Sequence, residues 1–273
     1  MKKFGIIGST LTHSKSPQMQ LAGLKYLGID GSYEKFEIDQ ENFEFEITGL
    51  IRSLDGLNIT IPYKEMIIKY LNIVDPLVER IGAANTIEVR DGKIYGFNTD
   101  YYGFKKSLEN YDLKNSQVSI LGSGGASKAI IAALEDIGVS TINVYVRNLK
   151  KASESLPNLA RRSINIKLFT EQENLSDSKL IVNCTPVGQG RLSEGLPLSM
   201  NQINELKPDT IVYDLIYEKT KLLKASQDRG LRAIDGSDML ILQGVQSLSI
   251  WTKCNIDEGL IEAMKQGFFK GLS

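Results

Sequence analysis

Short β-branched runs alternate with longer amphipathic stretches along most of this 273-residue chain. A strand followed by a covering helix, repeated many times, is the pattern of a parallel sheet in an α/β fold. The predicted strands are Phe4–Ile7, Tyr33–Glu37, Gly56–Ile59, Thr86–Val89, Val118–Leu121, Ile142–Val146, Leu180–Asn183, Thr210–Asp214 and Leu231–Ile234. The helical periodicity predicts helices at Gln18–Leu27, Phe43–Leu54, Ala126–Ile137, Thr220–Asp228, Met239–Thr252 and Asp257–Phe268.

The alternation is broken once, near residue 90. Arg90–Lys93 places Asp-Gly between two apolar runs, which predicts a tight antiparallel hairpin. A chain of this length favours about two domains. We therefore place one boundary near residue 104 and a second, regularly alternating βα domain over residues 105–236. The last two predicted helices, within residues 237–273, could pack on either domain.

Charge balance and residue usage argue against several classes of protein. The chain has 32 Lys+Arg against 33 Asp+Glu, which gives no reason to expect nucleic acid or a membrane as a partner. His13 is the only histidine, and Cys184 and Cys254 are the only cysteines. The sequence therefore predicts no zinc site, and a reducing cytoplasm as the compartment. If the chain is an enzyme, a group other than zinc must polarise its substrate.

A glycine-rich turn follows the predicted strand Val118–Leu121 and precedes a helix, which is the context that dinucleotide binding requires. Gly122 permits the tight turn, and Gly124 lets the backbone approach a pyrophosphate. The helix that begins near Gly125 and Ala126 points free N–H groups at the same place. Ser127 stands where the third glycine of the motif is expected, so a plain βα turn is the alternative interpretation.

The next strand ends at Arg147, about where an NAD-binding protein usually carries an acidic residue for the ribose hydroxyls. No Asp or Glu occupies that strand end. A guanidinium group there would complement a 2′-phosphate, so NADP is favoured over NAD. The alternative is a solvated basic start of a helix.

Polar residues also follow the strands of the first predicted domain. Ser14 and Ser16 lie at a predicted helix start, where two hydroxyls could hold a small carboxylate, although capping explains either serine alone. Further polar residues at strand ends and turns are Asn58, Thr60, Lys64, Asn85 and Asp100. Ligands of open α/β sheets bind at the carboxyl ends of the strands, so these side chains are candidates for a site.

Eight segments, in the same order along the chain, resemble the shikimate dehydrogenase family. They are Ser14–Pro17, Asn58–Lys64, Gly82–Thr86, Asn98–Asp100, Gly122–Ala126, Asn183–Gly188, Asp214–Tyr217 and Leu240–Gly244. The resemblance implies an N-terminal α/β substrate domain plus a Rossmann-like NADP-binding domain, with a cleft between them. It also implies that the last two helices return to the substrate domain, which then comprises residues 1–104 with 237–273.

The same resemblance assigns roles to individual residues. Lys64 and Asp100 match the catalytic pair, and Ser14 and Ser16 match the hydroxyls that bind the substrate carboxylate. Positions contacting the ring hydroxyls are matched by Asn58, Thr60, Asn85, Tyr217 and Gln243. Cofactor-binding positions are matched by Gly122, Gly124, Gly125, Ala126, Arg147, Thr185 and Met239. The chain departs from the family at Gln20-Leu21, where His-Asn is usual, and at Val146 and Asn148 beside Arg147.

The resemblance implies an NADP-dependent shikimate dehydrogenase of aromatic amino acid biosynthesis, with shikimate or 3-dehydroshikimate as its small-molecule substrate. Carbonyl reduction leaves negative charge on oxygen, and without zinc the Lys64 ammonium is the natural proton donor, with Asp100 to orient it. A quinate/shikimate dehydrogenase that uses NAD is one alternative, and a non-catalytic sensor of dinucleotides or metabolites is another. A homodimer is a possible assembly.

Overall fold

The described residues of this computed structural model, 1–156, 164–170 and 174–270, contain two separate six-stranded sheets. The chain divides into two compact units, unit 1 (Met1–Lys106 with Leu240–Ser273) and unit 2 (Ser107–Met239). Each unit carries one of the sheets. No helix within the described residues is long and apolar enough to cross a membrane.

Unit 1 has a mixed sheet. Its strands are β1 (Lys2–Gly8), β2 (Gly31–Glu37), β3 (Gly56–Ile59), β4 (Ile73–Val74), β5 (Thr86–Arg90) and β6 (Lys93–Phe97). They lie in the order β2-β1-β3-β5-β6-β4, and β5 is antiparallel to both of its neighbours. The predicted hairpin is confirmed, because Asp91 and Gly92 have φ angles of 52° and 71° in the turn between β5 and β6.

Six helices of the described residues accompany this sheet. They are α1 (Ser16–Tyr26), α2 (Phe43–Arg52), α3 (Pro76–Ile81), α4 (Thr99–Ser107), α9 (Ser237–Thr252) and α10 (Glu258–Lys270). Trp251 of α9 stacks on Phe4 of β1 with ring centroids 4.8 Å apart, and its Nε1 donates to the Ile87 carbonyl oxygen over 2.8 Å. Phe43 and Tyr63 stack at 4.3 Å in the core of the unit. These contacts attach α9, which comes late in the sequence, to the first strands.

Unit 2 has an all-parallel sheet. Its strands are β7 (Gln117–Leu121), β8 (Thr141–Val146), β9 (Ile164–Leu168), β10 (Leu180–Asn183), β11 (Ile211–Asp214) and β12 (Arg232–Ile234), in the order β12-β11-β10-β7-β8-β9. Its helices within the described residues are α5 (Gly125–Ile137), α6 (Leu149–Ser155), α7 (Met200–Glu205) and α8 (Lys221–Asp228). The strand order is that of a Rossmann fold, and it reverses between β7 and β10.

All nine predicted strands and all six predicted helices are confirmed, with ends that move by at most two residues. The predicted hairpin implied β6 without giving its bounds, and the prediction missed strands β4 and β9 and the helices α3, α4, α6 and α7. β4 has two residues, and β9 is a half-exposed edge strand that buries no continuous apolar face. Helices α3, α6 and α7 have six or seven residues, too few for a helical period to stand out. Helix α4 has nine residues, but its buried face is mostly polar or glycine and gives no apolar period.

Candidate active site

Lys64 and Asp100 form an ion pair in unit 1, with 2.6 Å between Lys64 Nζ and Asp100 Oδ2. Their side chains are only 13% and 9% exposed, so the pair is largely shielded from water. Lys64 lies in the turn after β3, and its carbonyl oxygen accepts the Ala84 N–H over 2.8 Å. Asp100 lies in the first turn of α4. The pairing needs two turns that are 36 residues apart in the chain.

Asn85 holds the other oxygen of this carboxylate. Its Nδ2 donates to Asp100 Oδ1 over 2.9 Å, while its Oδ1 accepts the backbone N–H of Thr99 over 2.6 Å. A backbone N–H can only donate, so this contact fixes the orientation of the amide. Both Asp100 oxygens therefore accept hydrogen bonds, one from Asn85 and one from Lys64, as an ionised carboxylate does.

Gln243 of α9 completes the group. Its Oε1 accepts from Asn85 Nδ2 over 3.3 Å and from Thr99 Oγ1 over 3.2 Å, and its Nε2 donates to the Leu240 carbonyl oxygen over 2.9 Å. The Nε2 group has two hydrogens. Within the described residues only one of them has a protein acceptor. Gln243 therefore offers an N–H, not a carbonyl, to a ligand.

Asn58 lies on β3 and is oriented by a tyrosine that the sequence analysis did not single out. Tyr33 of β2 donates its hydroxyl hydrogen to Asn58 Oδ1 over 2.8 Å. Burial raises the pKa of Tyr33 although a hydrogen bond with Ser16 lowers it, so the phenol stays a neutral donor. Asn58 Nδ2 consequently faces Thr86 Oγ1 and Ser247 Oγ, at 3.1 and 3.0 Å.

Ser14 and Ser16 lie on either side of Lys15 at the start of α1. The N-cap position is Lys15, and no side chain caps the helix there. The N-cap side chain therefore plays no part, and the local bond at this helix start comes from Ser14, so capping remains an alternative for that serine. Ser14 Oγ accepts the Ser16 N–H over 3.4 Å, and Ser16 is buried. Thr60 follows β3, and its methyl group fills the space beside Gly8.

In unit 2 the carboxyl ends of β7 and β10 meet where the strand order reverses, which is where open α/β sheets bind ligands. Gly122 has a φ of +99°, and a Cβ there would lie 3.1 Å from the Thr185 methyl group. Gly124 has an ordinary φ of −77°, and no atom lies within 4 Å of the position of its missing Cβ. Gly125 and Ala126 begin α5, whose first N–H groups are free for an anion.

This turn passes a simple test for a dinucleotide phosphate. The space beside Gly124 is open, and Thr185, held by bonds of its N–H and hydroxyl to Asn183 Oδ1, lies next to Gly122. Ser127 is buried and donates to the Gly124 carbonyl oxygen over 2.6 Å, so it closes the turn in place of a third glycine. A plain βα turn does not require an open space at Gly124.

The remaining predicted cofactor and substrate positions of unit 2 are more scattered. Arg147 is exposed at the end of β8. Met239 is buried at the start of α9. Tyr217 is half-buried, and burial raises its pKa.

Four contributors to the unit 1 site were missed by the sequence analysis: Tyr33, Thr86, Thr99 and Ser247. Thr86 and Thr99 lie in the family-like segments Gly82–Thr86 and Asn98–Asp100, beside Asn85 and Asp100. Serine and threonine residues at turns are usually caps, so neither threonine was selected. Ser247 lies one helical turn after Gln243, so a helical interpretation of the segment places it on the same face. Tyr33 had no signal beyond its place in a strand.

Comparison with known proteins identifies the family. The model of the shikimate dehydrogenase substrate binding domain matches residues 6–87. A shikimate dehydrogenase (NADP(+)) of Clostridium perfringens is 36% identical over 278 residues, which cover 98% of this chain and 100% of the relative. The chain belongs to the shikimate dehydrogenase family.

Solved structures of shikimate dehydrogenases have the same fold. The crystal structure of the Aquifex aeolicus protein superposes with a TM-score of 0.87 at 33% identity and covers 97% of each chain. That of the Thermus thermophilus protein, in complex with NADP(H) and shikimate, has a TM-score of 0.84 at 30% identity and covers 98% of this chain and 100% of that one. The α/β architecture expected from the resemblance is thus confirmed.

Two departures from the usual shikimate dehydrogenase pattern have structural explanations. Gln20, at the usual His position, is buried, and its Nε2 donates to the Gly244 carbonyl oxygen over 3.0 Å, which joins α1 to α9 beside Gln243. Asn148 is the N-cap of α6, where its Oδ1 accepts the Lys151 N–H over 3.0 Å. Asn148 is therefore occupied by its own helix, and Arg147 remains as the candidate for a phosphate contact.

Proposed function

We propose that this chain is an NADP-dependent shikimate dehydrogenase that interconverts shikimate and 3-dehydroshikimate. The observation that carries the proposal is the shielded Lys64–Asp100 pair, tied to Asn85 and Gln243 in a chain of this family. Residues 1–104 with 237–273 are assigned to substrate binding and catalysis. Residues 105–236 are assigned to NADP.

Lys64 is the proton donor in the direction of reduction. NADPH, when bound, supplies the hydride that reduces the substrate carbonyl carbon. The carbonyl oxygen then gains negative charge and needs both a cation and a proton. The Lys64 ammonium provides both, and Asp100 holds that ammonium through its Oδ2. In the oxidation of shikimate, Lys64 in its neutral form accepts the hydroxyl proton.

Substrate recognition follows from the polarity of the site. Ser14 and Ser16 would hold the carboxylate, and the ring hydroxyls would meet Asn58, Thr60, Asn85, Tyr217 and Gln243. Burying these polar groups against a ligand without hydroxyls leaves them unpaired, at a cost of about 1–3 kcal/mol each. The site should therefore select a polyhydroxylated ring acid over a simple alcohol.

Unit 2 is assigned to the cofactor through its backbone. The N–H groups at Gly124, Gly125 and Ala126 suit the pyrophosphate, and Gly122 with Thr185 forms the adjoining part of the turn. Arg147 is the group proposed for the 2′-phosphate, and Met239 a lining residue of the nicotinamide end.

One absorbance assay of NADPH formation tests this function. Purified protein should oxidise shikimate with NADP, with a kcat/KM well above that for quinate with NAD. A reversed preference would favour the quinate/shikimate dehydrogenase. Binding of shikimate and NADP without formation of NADPH would favour the non-catalytic sensor.

We further infer a cytoplasmic enzyme, since both cysteines are free thiols.

A homodimer is the assembly we propose. Leu21 and Tyr26 of α1 and Phe269 of α10 are exposed apolar side chains on two helices that pack together, and a second copy would cover them. Light scattering of the purified protein measures the mass directly, and a monomeric mass at micromolar concentration would refute the dimer.

A further inference from the structure

Three hydroxyl groups lie in contact with one another in unit 1, behind the amides proposed to bind substrate. Thr86 and Ser247 are fully buried, and Thr99 is 1% exposed. The Oγ atoms are 3.1 Å apart for Thr86 and Thr99, 2.9 Å for Thr86 and Ser247, and 3.1 Å for Thr99 and Ser247. We call these three residues the hydroxyl triangle.

Each corner of the hydroxyl triangle is bonded to an amide of the candidate site. Thr86 and Ser247 accept the two Nδ2 hydrogens of Asn58. Thr99 accepts from Asn85 Nδ2 over 3.0 Å and donates to Gln243 Oε1 over 3.2 Å. Ser247 also donates to the Gln243 carbonyl oxygen over 3.0 Å. Buried polar groups need partners, so these bonds hold the three amides in place relative to one another.

We propose that the hydroxyl triangle is a positioning device for the dehydrogenase reaction, and that it holds Asn58, Asn85 and Gln243 in the positions from which they meet the substrate. This inference rests on the proposed function. None of its three members needs to touch the substrate. Their effect passes through the amides, and through Asn85 to the carboxylate of Asp100.

The orientation matters because an amide has one donor end and one acceptor end. If Asn85 turned over, its carbonyl oxygen would face the Asp100 carboxylate, and two acceptors would repel each other. If Gln243 turned over, it would present a carbonyl where the substrate meets an N–H. The Thr99 N–H and the Leu240 carbonyl oxygen oppose these two reversals directly. The hydroxyl triangle adds to them, because its bonds keep the Asn85 and Gln243 side chains from moving away from those backbone partners.

Substitution of Thr86 tests the inference. Thr86→Val keeps the shape of the side chain and removes only the hydroxyl, whereas Thr86→Ser keeps the hydroxyl. We expect Thr86→Val to lower kcat/KM for shikimate about 10- to 100-fold, with a raised KM for shikimate and an unchanged KM for NADP. Thr86→Ser should recover most of that loss.

A purely structural role makes a different prediction. Partial unfolding reduces the amount of active enzyme, which lowers apparent kcat and leaves both KM values as in the wild type. A Thr86→Val protein with that behaviour would overturn the inference. So would a Thr86→Ser protein as impaired as Thr86→Val.

Ser247 provides a second, independent measurement with a matched control on the same helix. Ser247→Ala should raise the KM for shikimate, whereas Ser249→Ala should not, because Ser249 Oγ donates to the Cys254 carbonyl oxygen outside the hydroxyl triangle. Equal effects of the two substitutions would overturn the inference. A wild-type protein unable to oxidise shikimate would instead refute the proposed function, so the two failures are distinguishable.

Discussion

The candidate site of unit 1 is made of side chains, and that of unit 2 is made mainly of backbone. In unit 1, Asp100 is bonded to both Lys64 and Asn85, and the three side chains are largely buried. In unit 2, Gly122 and Gly124 contribute no side chain at all, and Arg147 is exposed. A hydrogen-bonded group of side chains recognises a ligand by the direction of the ligand's donors and acceptors. A backbone turn recognises mainly the charge of a ligand and its ability to come close to the main chain.

The difference predicts two kinds of sensitivity. In unit 1, removal of one functional group should change chemistry or substrate preference. In unit 2, addition of a methyl group should be as harmful as removal of a charged group. The following substitutions test this contrast, from the largest expected effect to the smallest.

Lys64→Ala should lower kcat about 10²–10⁴-fold, because the proton donor is lost, with less effect on the KM for shikimate. Steady-state kinetics with shikimate and NADP measures this. Lys2→Ala is the control, since Lys2 pairs with Asp55 over 2.8 Å on an exposed surface. A Lys64→Ala enzyme with wild-type kcat would remove Lys64 from the mechanism.

Gly124→Ala should raise the KM for NADP roughly tenfold or more, because the new Cβ occupies the space where the backbone meets the pyrophosphate. The ordinary φ and the empty surroundings of Gly124 predict no steric cost to folding, so the melting temperature should fall only slightly, because alanine is a poorer N-cap than glycine. Gly49→Ala, also with nothing within 4 Å of its Cβ, is the control in unit 1. It should leave the KM for NADP unchanged and raise the melting temperature slightly, because alanine is the better residue in the interior of α2. A Gly124→Ala protein that binds NADP normally would show that this turn does not approach the cofactor.

Arg147→Ala should raise the KM for NADP about tenfold and leave the KM for NAD nearly unchanged, because only NADP carries the 2′-phosphate. Arg52→Ala, on the surface of α2, serves as the comparison for a general loss of positive charge. Equal losses with both cofactors would contradict a contact to the 2′-phosphate.

Tyr33→Phe should have the smallest effect. It removes the hydrogen bond to Asn58, which should lower the free energy of unfolding by about 1 kcal/mol at neutral pH. Burial raises the pKa of Tyr33, so the folded protein keeps the phenol protonated while the unfolded chain ionises near pH 10. The stability that this phenol contributes is fully present below about pH 10 and is lost as the pH rises further.

The free energy of unfolding, measured with urea at about pH 8 and about pH 11, therefore distinguishes the wild-type protein from Tyr33→Phe. Tyr33→Phe should lose less stability than the wild type between these values, since phenylalanine does not ionise. Parallel losses in the two proteins would contradict the assignment of a neutral buried phenol.

Local patterns predicted most of the fold, because strands, long helices and the Asp91-Gly92 turn each leave a periodic or conformational signal in a few residues. The pairing of Lys64 with Asp100 leaves no such signal. Only the resemblance of whole segments joined them in advance. The roles of the Thr86 and Ser247 hydroxyls could not be predicted for the same reason. A serine or threonine can equally cap a helix, lie on the surface or form a buried hydrogen bond, and the sequence alone does not distinguish these roles.

Edge elements account for the remaining errors. β9 alternates between half-buried and exposed positions without a strong apolar face, and α6 has only seven residues. Asn148 shows the converse: its type suits a cap and also suits a phosphate contact, and only the bond to the Lys151 N–H distinguishes them. Residue type is therefore a weak guide wherever a polar side chain has both a local and a distant partner.

Because unit 1 takes α9 and α10 from beyond unit 2 in the sequence, its folding cannot be completed until all of unit 2 has been synthesised. Unit 2, which is continuous over Ser107–Met239, has emerged whole from the ribosome before Trp251 is available to stack on Phe4. Until then the sheet around β1 lacks the cover that Trp251 of α9 provides, and its apolar face stays exposed. Chaperone capture at that stage would protect the nascent protein, and Gln243 and Ser247 of the candidate site are also synthesised only after all of unit 2.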